Sequence, residues 1–350
     1  QAMEFSHDVV VIGSGFAGTA AAQYLHENNV DYIVLEAASF TGGRTQTIKL
    51  GGDDGIWVDT GACFIHGTRG NPLTDECIKH GIQFKAGESN AESLFFADNA
   101  LSYAEQHKVR NEFLKRYKKA KQFLRNEYRR GNVSLSMEDG LQKILTQNPV
   151  EWSKDSPQQH YMDFYKWILE EYEGANWDEM SILQLEGGCG FEGGNVMLQN
   201  GYKELIECMQ NDLNIRTSCE VKLIEYNGTT AQLTVKNNEA WQTYKCKFVI
   251  CTVSMGILKD SLKVDPNMPV KELESGLLRW NPALPQWKLD SLNCYEIGLM
   301  NKVILQFDEQ FWPDVSRITH VGREAGDFPW FNHLGTNPPS LLAWTACRFA

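Results

Sequence analysis

The hydrophobic pattern at the start of the chain predicts a βαβ unit. Residues 8–12, Asp-Val-Val-Val-Ile, form a short β-branched run that is followed at once by glycine. Such a run is typical of a strand buried on both faces, as in a parallel sheet. Residues 16–28 then carry apolar side chains at helical spacing, and a second apolar run follows at residues 32–36. Strand, glycine turn, helix and strand within about 30 residues form a βαβ pattern.

Longer amphipathic segments predict a helical block in the middle of the chain. Over residues 105–130 apolar side chains recur every three or four residues, at Val109, Phe113, Tyr117, Ala120, Leu124 and Tyr128. This period predicts one helix with one buried stripe. Helices are also predicted over residues 157–173, which begin with Pro157 and precede Gly174, and over residues 201–211.

Strand patterns return after the helical block. Asn227-Gly228 separates apolar runs at residues 221–226 and 231–236, which predicts a hairpin because Asn-Gly suits a tight turn. Further strands are predicted at residues 248–253 and 302–307. Since a helical block interrupts strand-rich segments, the sequence predicts two interleaved domains of the α/β and α+β classes.

Composition and charge narrow the kinds of partner. The 350 residues are 42% hydrophobic and carry a net charge of −12, which is typical of a globular protein and unfavourable for binding nucleic acid. No apolar run approaches the length of a transmembrane helix. Residues 105–130 carry a net +7, which leaves −19 for the remainder. The acidic remainder is compatible with a cationic substrate, and the basic helix is a possible interaction surface.

The cysteines give no sign of a metal site. All nine are scattered, without a CxxC pair or a Cys/His spacing that suits zinc. No metal centre is therefore predicted, and Cys63, Cys189, Cys246 and Cys251 are interpreted as buried thiols. The compartment stays open: the start at Gln1 and two glycosylation triplets fit a secreted protein, and an intracellular one is also compatible.

The first glycine turn carries the clearest chemical signal. Residues 13–18 read Gly-Ser-Gly-Phe-Ala-Gly, a GxGxxG motif that follows a strand and opens a helix. Its glycines allow the tight turn, the approach of a pyrophosphate and close helix–strand packing, and the phosphate sits at the helix N-terminus. Glu36, about 20 residues further on, is placed to accept ribose hydroxyls. A dinucleotide site is predicted; the alternative is a glycine turn without a ligand.

Four further segments match one family in chain order. They are Thr-Gly-Gly-Arg-Thr at residues 41–45, Val-Asp-Thr-Gly-Ala-Cys-Phe-Ile-His-Gly at 58–67, Thr-Val-Ser-Met-Gly-Ile-Leu at 252–258, and a stretch at 301–313 that begins Asn-Lys and ends Phe-Trp-Pro. With the glycine turn, they resemble the flavin-dependent amine oxidase family. The His-Gly pair is closest to the polyamine oxidase branch. Ser254 stands where the family usually has proline.

The resemblance implies FAD as the cofactor. It implies a Rossmann-like FAD-binding domain, residues 1–75 and 201–265, interleaved with a substrate domain of mixed sheet and helices, residues 76–200 and 266–350. At Val221 the family offers backbone groups to adenine. The positions that the resemblance places at the cofactor are Gly13, Ser14, Gly15, Phe16, Ala17, Gly18, Glu36, Ala37, Gly43, Arg44, Thr60, Gly61, Val221 and Thr252.

The resemblance also implies a reaction and two catalytic residues. In the family a hydride passes from the carbon beside an amine nitrogen to flavin N5, the imine is hydrolysed, and oxygen reoxidises the flavin to give hydrogen peroxide. Lys302 matches the lysine that holds a water against N5; alternatively it is a strand lysine that prevents aggregation. His66 is placed to bind or deprotonate an amine, or it is a core histidine that donates to a carbonyl.

Acidic and aromatic side chains supply candidates for binding a cationic polyamine. Carboxylates that could pair with its ammonium groups, or be solvated loop acids, are Glu186, Glu192 and Asp178. Aromatic residues that could line a channel for cations, or belong to the core, are Trp57, Phe64, Trp330 and Phe331.

The leading hypothesis is an FAD-dependent oxidase of a polyamine such as spermine, spermidine or an acetylated form, with oxygen as second substrate. One alternative is an L-amino-acid oxidase of the same fold, which needs an arginine for the substrate carboxylate. Another is a non-catalytic flavin-fold protein that interacts through its basic helix. The family closes its flavin site with a C-terminal segment whose glycine-rich motif is not found before Ala350. The sequence thus favours a chain that lacks this last part of the pocket.

Overall fold

A computed structural model of the chain describes residues 3–86, 93–97, 101–149, 152–186, 190–238, 240–322 and 328–350. The strands are β1 (Met3–Ser6), β2 (Val9–Ile12), β3 (Tyr32–Leu35), β4 (Thr47–Leu50), β5 (Ile56–Asp59), β6 (Phe84–Ala86), β7 (Ser93–Ala97), β8 (Val196–Leu198), β9 (Ile215–Arg216), β10 (Cys219–Tyr226), β11 (Ala231–Asn237), β12 (Ala240–Cys246), β13 (Phe248–Cys251), β14 (Arg279–Asn281), β15 (Met300–Gln306), β16 (Arg317–Val321), β17 (Trp330–Thr336) and β18 (Pro339–Ala346). The helices are α1 (Phe16–Glu27), α2 (Pro72–His80), α3 (Tyr103–Arg129), α4 (Met137–Gln147), α5 (Pro157–Glu173), α6 (Ile182–Glu186), α7 (Tyr202–Gln210), α8 (Met255–Ser261) and α9 (Gln286–Asn293).

The predicted βαβ unit is confirmed and lies in a parallel sheet of order β13-β2-β3-β9. Strands β2 and β3 are buried along their whole length, as an uninterrupted apolar run requires when helices or other sheets cover both faces. Helix α1 connects them. The carboxyl ends of β2, β3 and β13 therefore open on the same edge of the sheet, where ligands of such folds bind.

A second sheet, of order β1-β12-β11-β10-β14, packs against the first. The predicted hairpin is confirmed as β10 and β11, with Gly228 at φ +90° in the turn. Its apolar side chains, among them Leu233 and Val235, share one core with Val10 and Ile33 of the parallel sheet. The register of β10 shifts between Val221 and Leu223, so a β-bulge lies at this point of the strand.

The helical block covers a third sheet, of order β15-β18-β17-β16-β7. Helix α3 begins in a capping box formed by Ser102 and Glu105, which satisfies free N–H groups of its first turn. Of its predicted apolar stripe, the core takes Val109, Phe113 and Leu124, together with side chains of α4 and α5, whereas Tyr128 is exposed. Helix α5 begins and ends where the sequence predicts, with Gly174 at φ +68° after its last turn.

The strand pairing shows which chain segments lie together. Strand β14 pairs with β10, so the segment that follows α8 returns to the second sheet before the chain enters β15. The domain boundaries near residues 75, 200 and 265 stay a prediction. Among the described residues, no helix has both the length and the apolar composition needed to cross a bilayer. The predicted buried thiol Cys189 lies outside the described residues.

Candidate active site

A cavity of about 1200 Å³ lies at the carboxyl edge of the parallel sheet and extends to the third sheet. It is larger than the roughly 300–1,000 Å³ of common small-molecule pockets, which suits an extended cofactor together with a substrate. The site residues predicted from the sequence that line its wall are Gly13, Gly15, Phe16, Ala17, Glu36, Ala37, Gly43, Arg44, Thr60, Gly61, His66, Val221, Thr252 and Lys302.

The glycine turn combines crowded and open positions. Gly13 has φ +99°, and a Cβ there would lie 2.8 Å from the Thr252 Oγ1. A Cβ on Gly18 would overlap the carbonyl oxygen of Gly13, so this glycine allows α1 to pack on the turn. By contrast, a Cβ on Gly15 would meet no atom within 4 Å, because Gly15 faces the cavity. The protein itself therefore does not explain a glycine at position 15, whereas a ligand against the backbone does.

Glu36 is held at the end of β3 by the glycine turn. Its Oε2 accepts hydrogen bonds of 2.8 Å from both the backbone N–H and the hydroxyl of Ser14, and its Oε1 accepts one of 2.9 Å from the N–H of Ala38. Ser14 is fully buried and acts from behind the wall. A carboxylate offers about four acceptor positions, so Glu36 retains capacity for the hydroxyls of a ribose.

Gly43 and Arg44 belong to a turn that packs on residues 60–62. The N–H of Ala62 donates to the carbonyl of Arg44 at 3.0 Å, and the N–H of Thr60 donates to the carbonyl of Gln46 at 2.8 Å. A Cβ on Gly61 would overlap the Arg44 carbonyl, so only glycine permits this approach. The two predicted cofactor segments thus form one continuous piece of the cavity wall.

Thr252 joins the glycine turn to β13. Its N–H and its hydroxyl donate to the carbonyl of Ile12 at 3.0 and 2.8 Å. Ser254, which departs from the family pattern, begins α8 and accepts a hydrogen bond from the N–H of Ile257 at 3.4 Å. Serine is a favoured N-cap residue, so this departure preserves the start of the helix.

The Lys302 ammonium is held at the far end of the cavity by backbone carbonyls. It donates to the carbonyl of Asp59 at 2.9 Å and to the carbonyl of Gly61, and it lies 4.7 Å from the ring centroid of Trp344. These contacts satisfy a charge that would be costly to bury alone. They use two of its three hydrogens and leave one for a molecule in the cavity.

Aromatic rings surround His66 and the ammonium of Lys302. The ring centroid of Phe64 lies 5.8 Å from that of His66 and 6.4 Å from that of Trp344. His66 is exposed to the cavity, so the alternative of a core histidine is wrong. Of the aromatic residues proposed for a channel, Phe64 and Trp330 line the cavity; Trp57 and Phe331 do not line it.

A buried carboxylate that the sequence interpretation missed faces this end of the cavity. Glu171 on α5 is 2% exposed, lines the wall, and accepts a hydrogen bond of 3.0 Å from Trp330 Nε1. Its sequence signal was its place in the apolar stripe of α5, four residues after Trp167. The next-door Glu170 turns the other way: it accepts from the N–H of Trp177 and contacts the guanidinium of Arg348.

Of the three carboxylates predicted to bind an amine, the two whose side chains the structure describes do not line this cavity. Asp178 is exposed, and Glu192 forms an exposed ion pair with Arg69 at 3.4 Å. The Glu186 side chain lies outside the part of the chain that the structure describes. A spacing pattern cannot show which loop acid turns inward, and the packing of helix α5 is what places the carboxylate of Glu171 at the substrate end of the wall.

Asp59 supports the site from behind. Its Oδ1 accepts from the Thr47 hydroxyl at 2.6 Å and from the N–H of Tyr202 at 2.9 Å. Burial raises the pKa of Asp59, against those hydrogen bonds and the charges of Lys302 and Lys85. Burial also lowers the pKa of Lys85, which the charge of Asp59 opposes. Two ionisable groups thus share a poorly solvated region next to the cavity.

These residues fit a bound FAD. Gly15 leaves space for a pyrophosphate at the start of α1, and Glu36 retains acceptor positions for a ribose. The same cavity continues to Thr60, Gly61 and Lys302, where a ring system can lie beside His66. Among the described residues, no group of three His, Cys, Asp or Glu side chains converges as a metal ion would require.

Comparison with known proteins agrees with this geometry. The family model described as flavin containing amine oxidoreductase matches residues 16–349. Polyamine oxidase 3 of Oryza sativa subsp. japonica is 25% identical over 97% of this chain and 68% of its own length. Lysine-specific histone demethylase 1 homolog 3 of the same organism is 29% identical over 97% of this chain and 40% of its own. A solved putrescine oxidase with redesigned cofactor binding superposes with a TM-score of 0.70, at 15% identity, over 99% of this chain and 77% of that one.

The two kinds of glycine predict different outcomes for alanine. Gly18→Ala should reduce the free energy of unfolding by about 1–3 kcal/mol, because the added methyl group overlaps the Gly13 carbonyl. Gly15→Ala should change it by less than about 1 kcal/mol and weaken FAD binding about tenfold or more, which corresponds to about 1.4 kcal/mol. Urea unfolding of the FAD-free protein and FAD titration measure the two quantities. Unchanged FAD affinity in Gly15→Ala would contradict the assignment of that space to the cofactor.

Asp59 predicts a specific pH dependence. Its raised pKa in the folded state means that folding favours its protonated form, so its stabilising contribution is present below the carboxyl pKa of the unfolded chain. That contribution is lost as the pH rises through the folded pKa. The Asn side chain of Asp59→Asn cannot ionise. The free energy of unfolding of this variant should therefore increase relative to that of the wild type as the pH rises from about 4 to about 7. Urea unfolding at several pH values measures this difference.

Glu105 provides the opposite control. The hydrogen bonds from Ser102 lower its pKa in the folded state, so its contribution is present above the unfolded pKa and is lost as the pH falls. Glu105→Gln should therefore lose stability relative to the wild type at pH 7 and recover it on acidification. A pH-independent effect of Asp59→Asn would show that its carboxylate is not destabilised by burial.

Proposed function

The chain belongs to the flavin-containing amine oxidoreductase family, and we propose that it uses FAD and oxygen to oxidise a polyamine such as spermine, spermidine or an acetylated form. The observation that carries this proposal is the buried carboxylate of Glu171, which shares one cavity with His66 and Lys302. A second ammonium group is what distinguishes a polyamine from a simple amine, and a buried carboxylate is its natural partner.

The glycine turn, Glu36 and Arg44 would hold FAD, which would supply the two-electron redox chemistry that turns an amine into an imine and oxygen into hydrogen peroxide. The protein must first present the reacting nitrogen without its proton, because an ammonium holds its electron pair in the N–H bond. We assign this task to His66, whose ring is exposed to the cavity, because histidine is the side chain that most often serves as a general base.

Lys302 is assigned to the steps that follow amine oxidation, namely imine hydrolysis and the reaction with oxygen. The carbonyls of Asp59 and Gly61 fix its ammonium, and its remaining hydrogen is available for a water molecule in the cavity. A water held in this way is positioned to hydrolyse the imine product. The fixed positive charge also stabilises negative charge that develops nearby in the cavity when oxygen is reduced.

Glu171 and the aromatic rings are assigned to the distal part of the substrate. Trp330 fixes one oxygen of the carboxylate at 3.0 Å, and the buried negative charge favours an ammonium group beside it. The rings of Phe64, Trp330 and Trp344 in the wall can contact both the methylene chain and the charged groups of a polyamine. The net charge of −12 favours the approach of such a cation.

The two alternatives receive less support from the cavity. An L-amino-acid oxidase of this fold needs an arginine for the substrate carboxylate at the substrate end. Among the described residues of the wall, Arg44 is the one arginine, and it lies next to the glycine turn at the cofactor end. A protein that only interacts through α3 would have no need of a cavity whose wall includes Glu171, His66 and Lys302.

Anaerobic titration of the purified protein tests the proposal directly. Addition of spermine, spermidine or an acetylated polyamine should bleach the absorbance of oxidised flavin, because the bound FAD is reduced by the substrate. Bleaching by amino acids alone would instead support the second hypothesis, and a protein that cannot be reconstituted with FAD would support the third.

Glu171→Gln tests the distal subsite. The substitution removes the charge and keeps the acceptor for Trp330, so we expect KM for spermidine to rise about tenfold while kcat changes little. A monoamine that reaches only His66 should be affected much less. Steady-state kinetics with both substrates measure this difference. The matched control is Glu192→Gln, which removes an exposed carboxylate outside the cavity. Equal effects on both substrates would exclude Glu171 as the distal partner.

Lys302→Met tests the role of the fixed ammonium. We expect reoxidation of the reduced enzyme by oxygen to slow about tenfold to a hundredfold, with a smaller effect on anaerobic reduction by the amine. Stopped-flow absorbance separates the two half-reactions. Lys49→Met is the control, because Lys49 also donates to a carbonyl, that of Asp53, and lies over a tryptophan, but on the surface. Unchanged oxygen kinetics in Lys302→Met would refute the assignment.

A further inference from the structure

A short segment closes the nucleotide end of the cavity. Residues 274–278 precede β14, and Gly276, Leu277 and Leu278 line the cavity wall. They lie beside the start of β10, whose Cys219 donates its N–H to the carbonyl of Glu36 at 2.7 Å. The segment therefore covers the part of the cavity where Glu36 is placed to bind a ribose. The Lys302 ammonium lies at the other end of the cavity.

Two charged side chains of β10 hold this segment in place. The Glu220 carboxylate accepts the N–H of Gly276 at 2.6 Å and the hydroxyl of Ser275 at 3.4 Å. The ammonium of Lys222 donates to the same carboxylate at 2.7 Å and to the carbonyl of Glu274, also at 2.7 Å. The pair thus forms hydrogen bonds with two backbone groups of the segment, the Gly276 N–H and the Glu274 carbonyl.

The burial of Lys222 makes this arrangement costly. Its side chain is 1% exposed, and a buried ammonium is tolerated only when it is paired and hydrogen-bonded. Lys222 stands at the β-bulge, the point where the pairing of β10 with β11 gains one residue. The bulge releases Lys222 from the regular ladder and lets it reach the segment instead of the neighbouring strand.

We propose that the Lys222–Glu220 pair is a latch that holds residues 274–278 against the nucleotide half of FAD and sets how fast the cofactor leaves. Lys222 does not line the cavity and is a positioning residue that acts on the cofactor through the segment, whereas Glu220 also lines the wall; both lie at the opposite end from the amine chemistry. The latch holds whatever amine the enzyme oxidises, so its failure and the failure of the proposed substrate are distinguishable.

Lys222→Met tests the latch on the FAD-loaded enzyme. The variant keeps an apolar chain of similar length in the buried space but loses both hydrogen bonds. We expect FAD release to accelerate about tenfold. The rise in flavin fluorescence measures this release. Hydrogen–deuterium exchange should increase at the backbone amides of residues 274–278, including the Gly276 N–H, and stay unchanged in the buried strand β2.

Two further variants complete the experiment. Gly276→Ala leaves the buried lysine in place but disfavours the φ of +86° that presents the Gly276 N–H to Glu220, so it should act in the same direction. Lys247→Met breaks an exposed ion pair with Asp8 and should change neither quantity.

Faster release together with faster exchange confined to residues 274–278 would support the latch. Faster exchange of the segment without faster FAD release would overturn it, because the segment would then not limit cofactor loss. Faster release with increased exchange throughout β2 would also overturn it, because a general loss of stability would be the cause. Unchanged release and exchange in both Lys222→Met and Gly276→Ala would show that the pair serves only the fold of β10.

Discussion

The contacts of Asp59 connect the parts of the molecule on which the candidate site depends. Its carboxylate accepts from Thr47 on β4 and from the first N–H of α7, and its carbonyl accepts from Lys302 on β15. One residue at the end of β5 therefore fixes helix α7 and strand β15 relative to each other. The cost is a carboxylate whose pKa burial raises, in a region that already holds two lysines.

How much of the site could be predicted from the sequence depends on how local its contacts are. The glycine turn could be predicted because Gly18 packs on Gly13, five residues away, and Glu36 binds the turn that the motif itself specifies. The family resemblance added Lys302, whose partners lie 241 and 243 positions earlier in the chain. Glu171 was missed because its inward orientation depends on α5 packing and on Trp330, 159 residues away.

The fold was predicted to a similar extent and for similar reasons. Helix α5 and the hairpin of β10 and β11 carry their own start, stop and turn signals, so their bounds follow from nearby residues. The bulge at Lys222 has no such local signal. Lys222 binds the segment at residues 274–278, and this segment lies next to β10 only in the folded chain. The basic helix α3 uses its apolar stripe for the core and, apart from the buried Arg116, carries its basic side chains on its partly or fully exposed faces.

Helix α5 places two consecutive carboxylates on different sides of one wall. Glu171 faces the cavity, whereas Glu170 accepts from Trp177, contacts Arg348, and offers its carbonyl to the thiol of Cys347 at 3.3 Å. A rigid helix transmits any shift of its axis to both residues. A change at residues 347–349 would therefore shift helix α5 and, with it, the carboxylate of Glu171, although none of residues 347–349 lines the cavity. On the proposed role of Glu171, the position of helix α5 would affect amine binding together with the composition of the pocket.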